Sequence, residues 1–125
     1  MEINSFKQIL AWQKAHQLVL LTYKAIKYLP ECEKYNLVSQ MIRATVSVAA
    51  NIVEGFARLG SSDSLRFYNI SEASLEELKY HTLLCLNLEY FTQKQYDYLF
   101  SLEEEVGKIL KGWIKSQIKN KREFA

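Results

Sequence analysis

The sequence predicts an all-α protein, a single domain over residues 1–125 folded as an up-down antiparallel four-helix bundle. Three observations predict this fold. The 125 residues include four glycines and one proline, too few turn residues for a β-sandwich or β-barrel of this size. Apolar residues recur at steps of three and four, which is the period of an α-helix. Three breaks separate helical segments whose connections are short enough to make neighbouring helices antiparallel.

The breaks define where each helix is expected to end. Pro30 ends the first helix, because its ring disfavours helical backbone at the residue before it. Gly60 to Asp63 combine a helix exit with capping residues for the third helix. The last break lies near residues 91–94. The expected inward faces are Ile9, Trp12, His16, Val19, Tyr23 and Ile26 in helix one; Phe67, Ile70, Ser74, Leu78, His81, Cys85 and Leu88 in helix three; and Leu99, Leu102, Val106, Ile109 and Trp113 in helix four.

The second helix, from Leu37 to Leu59, is apolar or small over most of its surface. Its polar residues fall in one narrow stripe: Asn36, Gln40, Arg43, Ser47, Asn51, Glu54 and Arg58. A surface helix normally has one apolar and one polar face, and a four-helix monomer has no central position that could bury this one. We therefore expect the protein to form a homo-oligomer.

The polar stripe of helix two can contact a neighbouring helix, because its members share one side. The third helix offers Glu72, Glu76 and Glu77, and Arg43 is expected to hold one of them in a bidentate pair. We interpret the set as a structural polar network that fixes helix register, formed by Gln40, Arg43, Ser47, Asn51, Glu54, Glu76 and Glu77. The alternative interpretation is a surface that binds a ligand or nucleic acid.

The sequence contains no motif of a catalytic, metal or cofactor site. Neither His16 nor His81 follows a glutamate by three residues, as a di-iron bundle requires, and phosphate loops and zinc spacings are absent. Cys32 and Cys85 lack CxxC spacing and are expected to be reduced thiols. No apolar run approaches the ~20 residues that span a bilayer. We expect a cytoplasmic protein without a membrane partner, cofactor, metal or enzymatic activity.

The end of the fourth helix concentrates positive charge in a chain whose net charge is only +2. Lys108, Lys111, Lys115 and Lys119 share one face, and Lys121 and Arg122 extend it. Lys7 and Lys14 of the first segment, together with Lys24 and Lys27, are expected to widen the patch. One interpretation is a nucleic-acid-binding surface. The alternative is a solvated helix end whose bases complement the helix dipole.

Residues 40–55, QMIRATVSVAANIVEG, resemble the signature of the bacterial four-helix-bundle family named for reading frames inside 23S ribosomal RNA intervening sequences. Its pattern is roughly Q-x-x-R-A-x-x-S-x-x-x-N-I-x-E-G. Further similarities are Trp12-Gln13, Leu29-Pro30-Glu31, Arg58, Phe67 and residues 73–77, ASLEE.

This resemblance implies a non-enzymatic four-helix bundle of a family whose members assemble as homopentamers. From the basic face of helix four we expect the assembly to bind RNA or a ribonucleoprotein. Residues 105–114 are also similar to the last helix of a related protein, the accessory variability protein (Avd) of diversity-generating retroelements. That similarity implies an alternative function as a protein-interaction accessory factor for a reverse transcriptase. The expected partners are therefore copies of the chain itself, RNA or DNA, and, under the alternative, a reverse transcriptase or another protein.

Overall fold

A computed structural model describes the backbone of residues 2–124 and the side chains of residues 2–120. The chain forms four α-helices within that range: α1 (Leu10–Ala25), α2 (Leu37–Ala57), α3 (Ser61–Asn87) and α4 (Gln93–Phe124). Short 3-10 helices cover Phe6–Gln8, Ile26–Tyr28 and Glu31–Glu33, and no strand occurs between residues 2 and 124. Helices consecutive in the chain pack together and α1 also packs on α4, which closes the predicted four-helix bundle.

The predicted breaks are confirmed, and local hydrogen bonds explain two of the helix boundaries. α3 ends where Glu89 adopts a left-handed backbone, with φ of 64°, and the amides of Tyr90 and Phe91 return to the Cys85 carbonyl. α4 begins with a capping box, in which the Thr92 hydroxyl accepts from the Gln95 amide and the Gln95 side chain accepts from the Thr92 amide. Neither feature requires a glycine or proline, which is why this break is weak in the sequence.

The inward faces of α1 and α3 lie about one residue away from the predicted faces. The buried residues are Ala11, Ala15, Leu18 and Thr22 in α1, and Tyr68, Ser71, Leu75, Leu78, Thr82 and Cys85 in α3. Ile9, Leu78 and Cys85 are buried as predicted. For the other residues the prediction was wrong because it assigned the most hydrophobic stripe to the core. His16 and Tyr23 are exposed instead, while small residues fill the inside of α1. Small residues let these helices approach closely, and the larger apolar side chains then cover the seams between helices.

Buried hydroxyl groups form hydrogen bonds with one another or with backbone carbonyls where two helices pack together. The Thr22 and Thr45 hydroxyls lie 3.2 Å apart between α1 and α2. The Ser71 hydroxyl donates to the Val48 carbonyl at 2.6 Å, which joins α3 to α2. Because each group has a partner, burying it costs little and fixes the register of the two helices.

The described helices include none that is long and apolar enough to cross a membrane.

Candidate functional site

The lysine stripe of α4 lies on the face turned away from the bundle core. Lys108, Lys111, Lys115 and Lys119 are all exposed, while Val106, Leu110 and Ile114 are buried on the opposite side. At 1.5 Å per residue the four lysines span about 17 Å along the helix. Lys121 and Arg122 have side chains outside the described residues. The structure therefore presents a solvent-facing row of ammonium groups.

Among the residues with described side chains, acidic groups flank this row toward its N-terminal end. Lys111 approaches Glu72 of α3 at 4.0 Å, at the limit of an ion pair. Among residues with described side chains, Lys108, Lys115 and Lys119 have no ion pair. Their charges are available to an external anion.

Residues of the first segment contribute to the basic patch less than the sequence predicts. Lys14 is half-buried and pairs with Glu105 of α4 at 3.0 Å, so its charge is compensated. Because α1 and α4 are antiparallel, exposed Lys7 lies toward the C-terminal end of α4 and Lys24 toward its N-terminal end. Lys24 lines a cleft with Lys94, so the expectation that it widens the patch is wrong. Lys27, three residues further along the chain, lies at the same remote end.

A charge-balanced groove between α3 and α4 borders the lysine row. Lys79 lies in it and donates to Glu76 at 3.1 Å and to Glu104 at 3.2 Å. Burial alone would lower the pKa of Lys79, but these two hydrogen bonds and charges outweigh burial and raise it. Glu76 therefore contacts Lys79 rather than the polar stripe of helix two, where the sequence placed it.

At its N-terminal end the helix-two stripe contacts α3 through Arg43. Its guanidinium donates to Glu77 at 2.5 Å and to the Gln40 side chain at 2.7 Å. One guanidinium nitrogen reaches one carboxylate oxygen, so the pair is not bidentate as predicted. The other partner of Glu77 is His81 at 3.0 Å, and the hydrogen bond from His81, followed by the charge of Arg43, lowers the pKa of Glu77.

The middle of the stripe packs directly on α3. The Ser47 and Ser74 hydroxyls lie 2.8 Å apart, and the Asn51 amide donates to both the Ser47 hydroxyl and the Ser47 carbonyl. Further along, Glu54 accepts from Arg58 on the same chain segment rather than from α3. Of the seven predicted network residues, Gln40, Arg43, Ser47, Asn51 and Glu77 form two contact groups along the α2–α3 seam, whereas Glu54 and Glu76 have partners elsewhere.

Gly55, at the end of the helix-two motif, is buried against the ring of Tyr68 on α3. A Cβ at this position would overlap three atoms of that ring. The close approach of the two helices at this point therefore requires glycine.

Glu103 is a buried titratable residue that the sequence pattern did not single out. It lies inside the bundle on α4, where the Thr82 hydroxyl lies 2.6 Å from its Oε2 and no described group bonds its Oε1. Burial raises the pKa of Glu103 to about 8, against smaller opposing effects of Thr82 and Lys79. Glu103 is the first residue of the acidic run 103–105. Its helical spacing from Val106 and Leu110 places it on the same buried face of α4, and this spacing was the sequence signal for its burial.

The histidine and cysteine side chains outside these contacts form no reactive cluster among the described residues. His16 stacks on Trp12 with ring centroids 4.9 Å apart. Cys32 and Cys85 are free thiols, and burial raises the pKa of Cys85 to about 12, so it stays protonated. Among the described residues, no group of three or more His, Cys, Asp or Glu side chains could hold a metal ion.

A family model described as 23S rRNA-intervening sequence protein matches residues 7–112. The chain belongs to this family. The match covers all of α1, α2 and α3 and the first part of α4, through residue 112. A comparison with curated proteins gives no match.

This 23S rRNA-intervening sequence protein is also similar to a solved structure. That structure is a protein of unknown function from the S23 ribosomal protein family of Bacteroides thetaiotaomicron. The two sequences are 25% identical, and the likeness covers 85% of this chain and 99% of the other, with a TM-score of 0.78. The all-helical bundle is therefore shared with an experimentally determined relative.

The signature residues of this 23S rRNA-intervening sequence protein have direct physical roles in the α2–α3 seam. Arg43 reaches Glu77, Ser47 meets Ser74, and Gly55 admits Tyr68. The recognisable motif of helix two thus encodes helix packing. The exposed lysines of α4 lie on another face of the molecule.

Proposed function

We propose that this 23S rRNA-intervening sequence protein is a non-catalytic homo-oligomer, with five subunits as the resemblance implies, that binds RNA through α4. The observation that carries this proposal is the exposed lysine row at positions 108, 111, 115 and 119. Family membership and similarity to an S23 ribosomal protein-family structure support a ribosomal RNA or ribonucleoprotein as the partner.

The chemistry of the row suits phosphate rather than base recognition. Lysine is a flexible point charge, and successive lysines three or four residues apart rise about 4.5 to 6 Å along the helix. Such a row can follow a phosphate backbone without reading base edges. Binding should therefore depend weakly on sequence and strongly on salt, because each phosphate contact releases counterions.

An apolar surface formed by α1 and α2 supports assembly into an oligomer. Beside the Thr22–Thr45 contact, Tyr23 of α1 is 44% exposed and Val46 of α2 is 40% exposed. Leu20 is 53% exposed on α1. Exposed apolar side chains grouped on one face are typical of a protein–protein interface. A closed ring would repeat the lysine row once per subunit, so that a subunit of net charge +2 still presents an extended positive surface.

The decisive experiment compares two charge reversals of equal size. Fluorescence anisotropy with a labelled single-stranded RNA measures binding by the parent and by Lys111→Glu/Lys115→Glu/Lys119→Glu. The matched control is Lys24→Glu/Lys27→Glu/Lys94→Glu, which changes three exposed lysines at the opposite end of the bundle. The α4 variant should lose binding and melt like the parent, because all three side chains are solvent-exposed.

The salt dependence gives a second measure. For single-stranded nucleic acid the slope of log K against log salt is about −0.7 per phosphate contact, so three lysine contacts per bound subunit should give the parent a slope of about −2 or steeper. Binding that survives in the α4 variant, or that falls equally in the control, would contradict the proposal. RNA binding that ignores salt would contradict it as well.

A further inference from the structure

An apolar cleft lies at the end of the bundle opposite the free end of the lysine row. It is enclosed between the last turns of α1 and the first turns of α4, and its volume is about 360 Å³. Buried Phe91 and Leu99 line it with Leu21, while Tyr28 and Tyr98 border it and are 60% and 70% exposed. Its volume falls in the range of small-ligand sites, and it is lined mainly by apolar carbon.

The free polar groups around this cleft are hydrogen-bond donors. Lys24 and Lys94 line it, and neither has an ion pair among the residues with described side chains. The side-chain oxygen of Gln95 already accepts from the backbone at the start of α4, which leaves its amide hydrogens. Two ammonium groups, the hydroxyls of Tyr28 and Tyr98, and one amide therefore surround an apolar floor.

The other large groove of the bundle has a different charge pattern. The α3–α4 groove carries Glu72, Glu76 and Glu104, and Lys79 is paired within it. In contrast, no acid with a described side chain lines the α1–α4 cleft, and Asp97 on the same turn of α4 accepts from Gln93. The cleft therefore combines apolar burial with unpaired positive charge.

We infer that the α1–α4 cleft binds a small amphipathic anion, an aromatic or alkyl carboxylate whose apolar body lies against Phe91 and Leu99. Its carboxylate accepts from Lys24 and Lys94 at the rim. The small volume and apolar floor favour this occupant over a nucleic-acid strand, which needs an extended groove. This site is independent of the proposed RNA-binding row, because a different part of α4 forms it.

The inference is tested on the full chain by isothermal titration calorimetry with 2-naphthoate and its neutral analogue 2-naphthylmethanol. Naphthoate should bind at least about tenfold more tightly than the alcohol, because only the carboxylate engages the two ammonium groups. Lys24→Gln/Lys94→Gln should remove that preference and leave weak binding of both. Tyr98→Ala should weaken both ligands, and Lys108→Gln/Lys111→Gln should change neither.

Three results would overturn the inference. The first is the absence of saturable naphthoate binding at millimolar concentration. The second is equal affinity of the parent for the acid and the alcohol. The third is a change of sedimenting mass in Tyr98→Ala, which would show that a second copy of the chain occupies the cleft.

Discussion

Glu103 connects the stability of this bundle to pH through a single buried carboxyl. At neutral pH it is protonated, because burial raises its pKa to about 8. The hydrogen bonds agree with that state: a protonated Glu103 donates to the Thr82 hydroxyl, whose own hydrogen is then free to donate to the Leu78 carbonyl 3.0 Å away. An ionised Glu103 would compete with that carbonyl for one hydroxyl hydrogen.

We predict that the free energy of unfolding falls as pH rises from 6 to 8. Below pH ~4.5 Glu103 is protonated in both folded and unfolded chains, so its stabilising effect is complete. Between the unfolded and folded pKa values only the unfolded chain ionises, and stability decreases by up to about 1.4 kcal/mol per pH unit. Denaturant titrations should show this slope in the parent and not in Glu103→Gln. Exposed Glu31→Gln is the control and should keep the slope; an identical slope in Glu103→Gln would contradict the prediction.

We predict that alanine substitutions at Gly55 and at Gly112 change the stability of the protein in opposite directions. Gly55→Ala should destabilise the fold by about 1–3 kcal/mol, because the new Cβ would overlap the buried ring of Tyr68. Gly112 is exposed on α4, and a Cβ added there would meet no described atom of another element within 4 Å. Gly112→Ala should therefore stabilise the helix by up to about 1 kcal/mol. Thermal melts of both variants measure the difference. A Gly55→Ala protein as stable as the parent would show that α2 and α3 can separate without cost.

The core polar residues explain why the inward helix faces were predicted incorrectly from the sequence. Thr22, Ser71, Thr82 and Glu103 are fully buried, yet a hydrophobicity pattern counts each as a surface residue. Their burial depends on partners from other helices, which sequence spacing within one helix does not reveal. The burial of a polar side chain was therefore not predictable where a neighbouring helix supplies its partner.

The contacts between helices α2 and α3 were also only partly predictable from the sequence. Helix boundaries followed from Pro30, Gly60 and the apolar period, and the partnership of Arg43 with α3 followed from the spacing of the stripe. The degree of burial of this ion pair could not be predicted from the spacing. The Arg43 side chain is 57% exposed and Glu77 is 35% exposed, so water screens a pair that the sequence placed in a network between helices.

Because of that exposure we predict a weak coupling between Arg43 and Glu77. A double-mutant cycle with Arg43→Ala and Glu77→Ala, measured by urea unfolding, should give about 0.2–1 kcal/mol. Removing one partner of a buried ion pair would instead lower the free energy of unfolding by about 3–5 kcal/mol. A coupling in that higher range would show that another subunit covers the pair. Replacing Glu54, which is 53% exposed and pairs with the 42% exposed Arg58, gives the comparison with another exposed ion pair.

At the scale of the whole molecule, sequence predicted the bundle and its connectivity, because four helices with short connections have few ways to pack. A surface for assembly with further copies of the chain was harder to predict. The excess of apolar residues on helix two indicates an interface, but the structure shows that many of them face the core of their own chain. Val46 of α2 and Tyr23 of α1 are among the apolar residues that stay exposed.

The last prediction assigns assembly to that surface. Sedimentation velocity at micromolar concentration should show the parent as one species of about five times the 14.6 kDa chain mass, and Tyr23→Glu/Val46→Glu as a folded monomer. Two carboxylates in an apolar interface would lose their hydration without gaining partners, whereas each remains solvated on the free chain. Ser101→Glu/Ser116→Glu adds the same charge to exposed positions of α4 and should assemble like the parent. A monomeric parent would contradict oligomerisation, and a Tyr23→Glu/Val46→Glu protein that still assembles would place the interface on a different face.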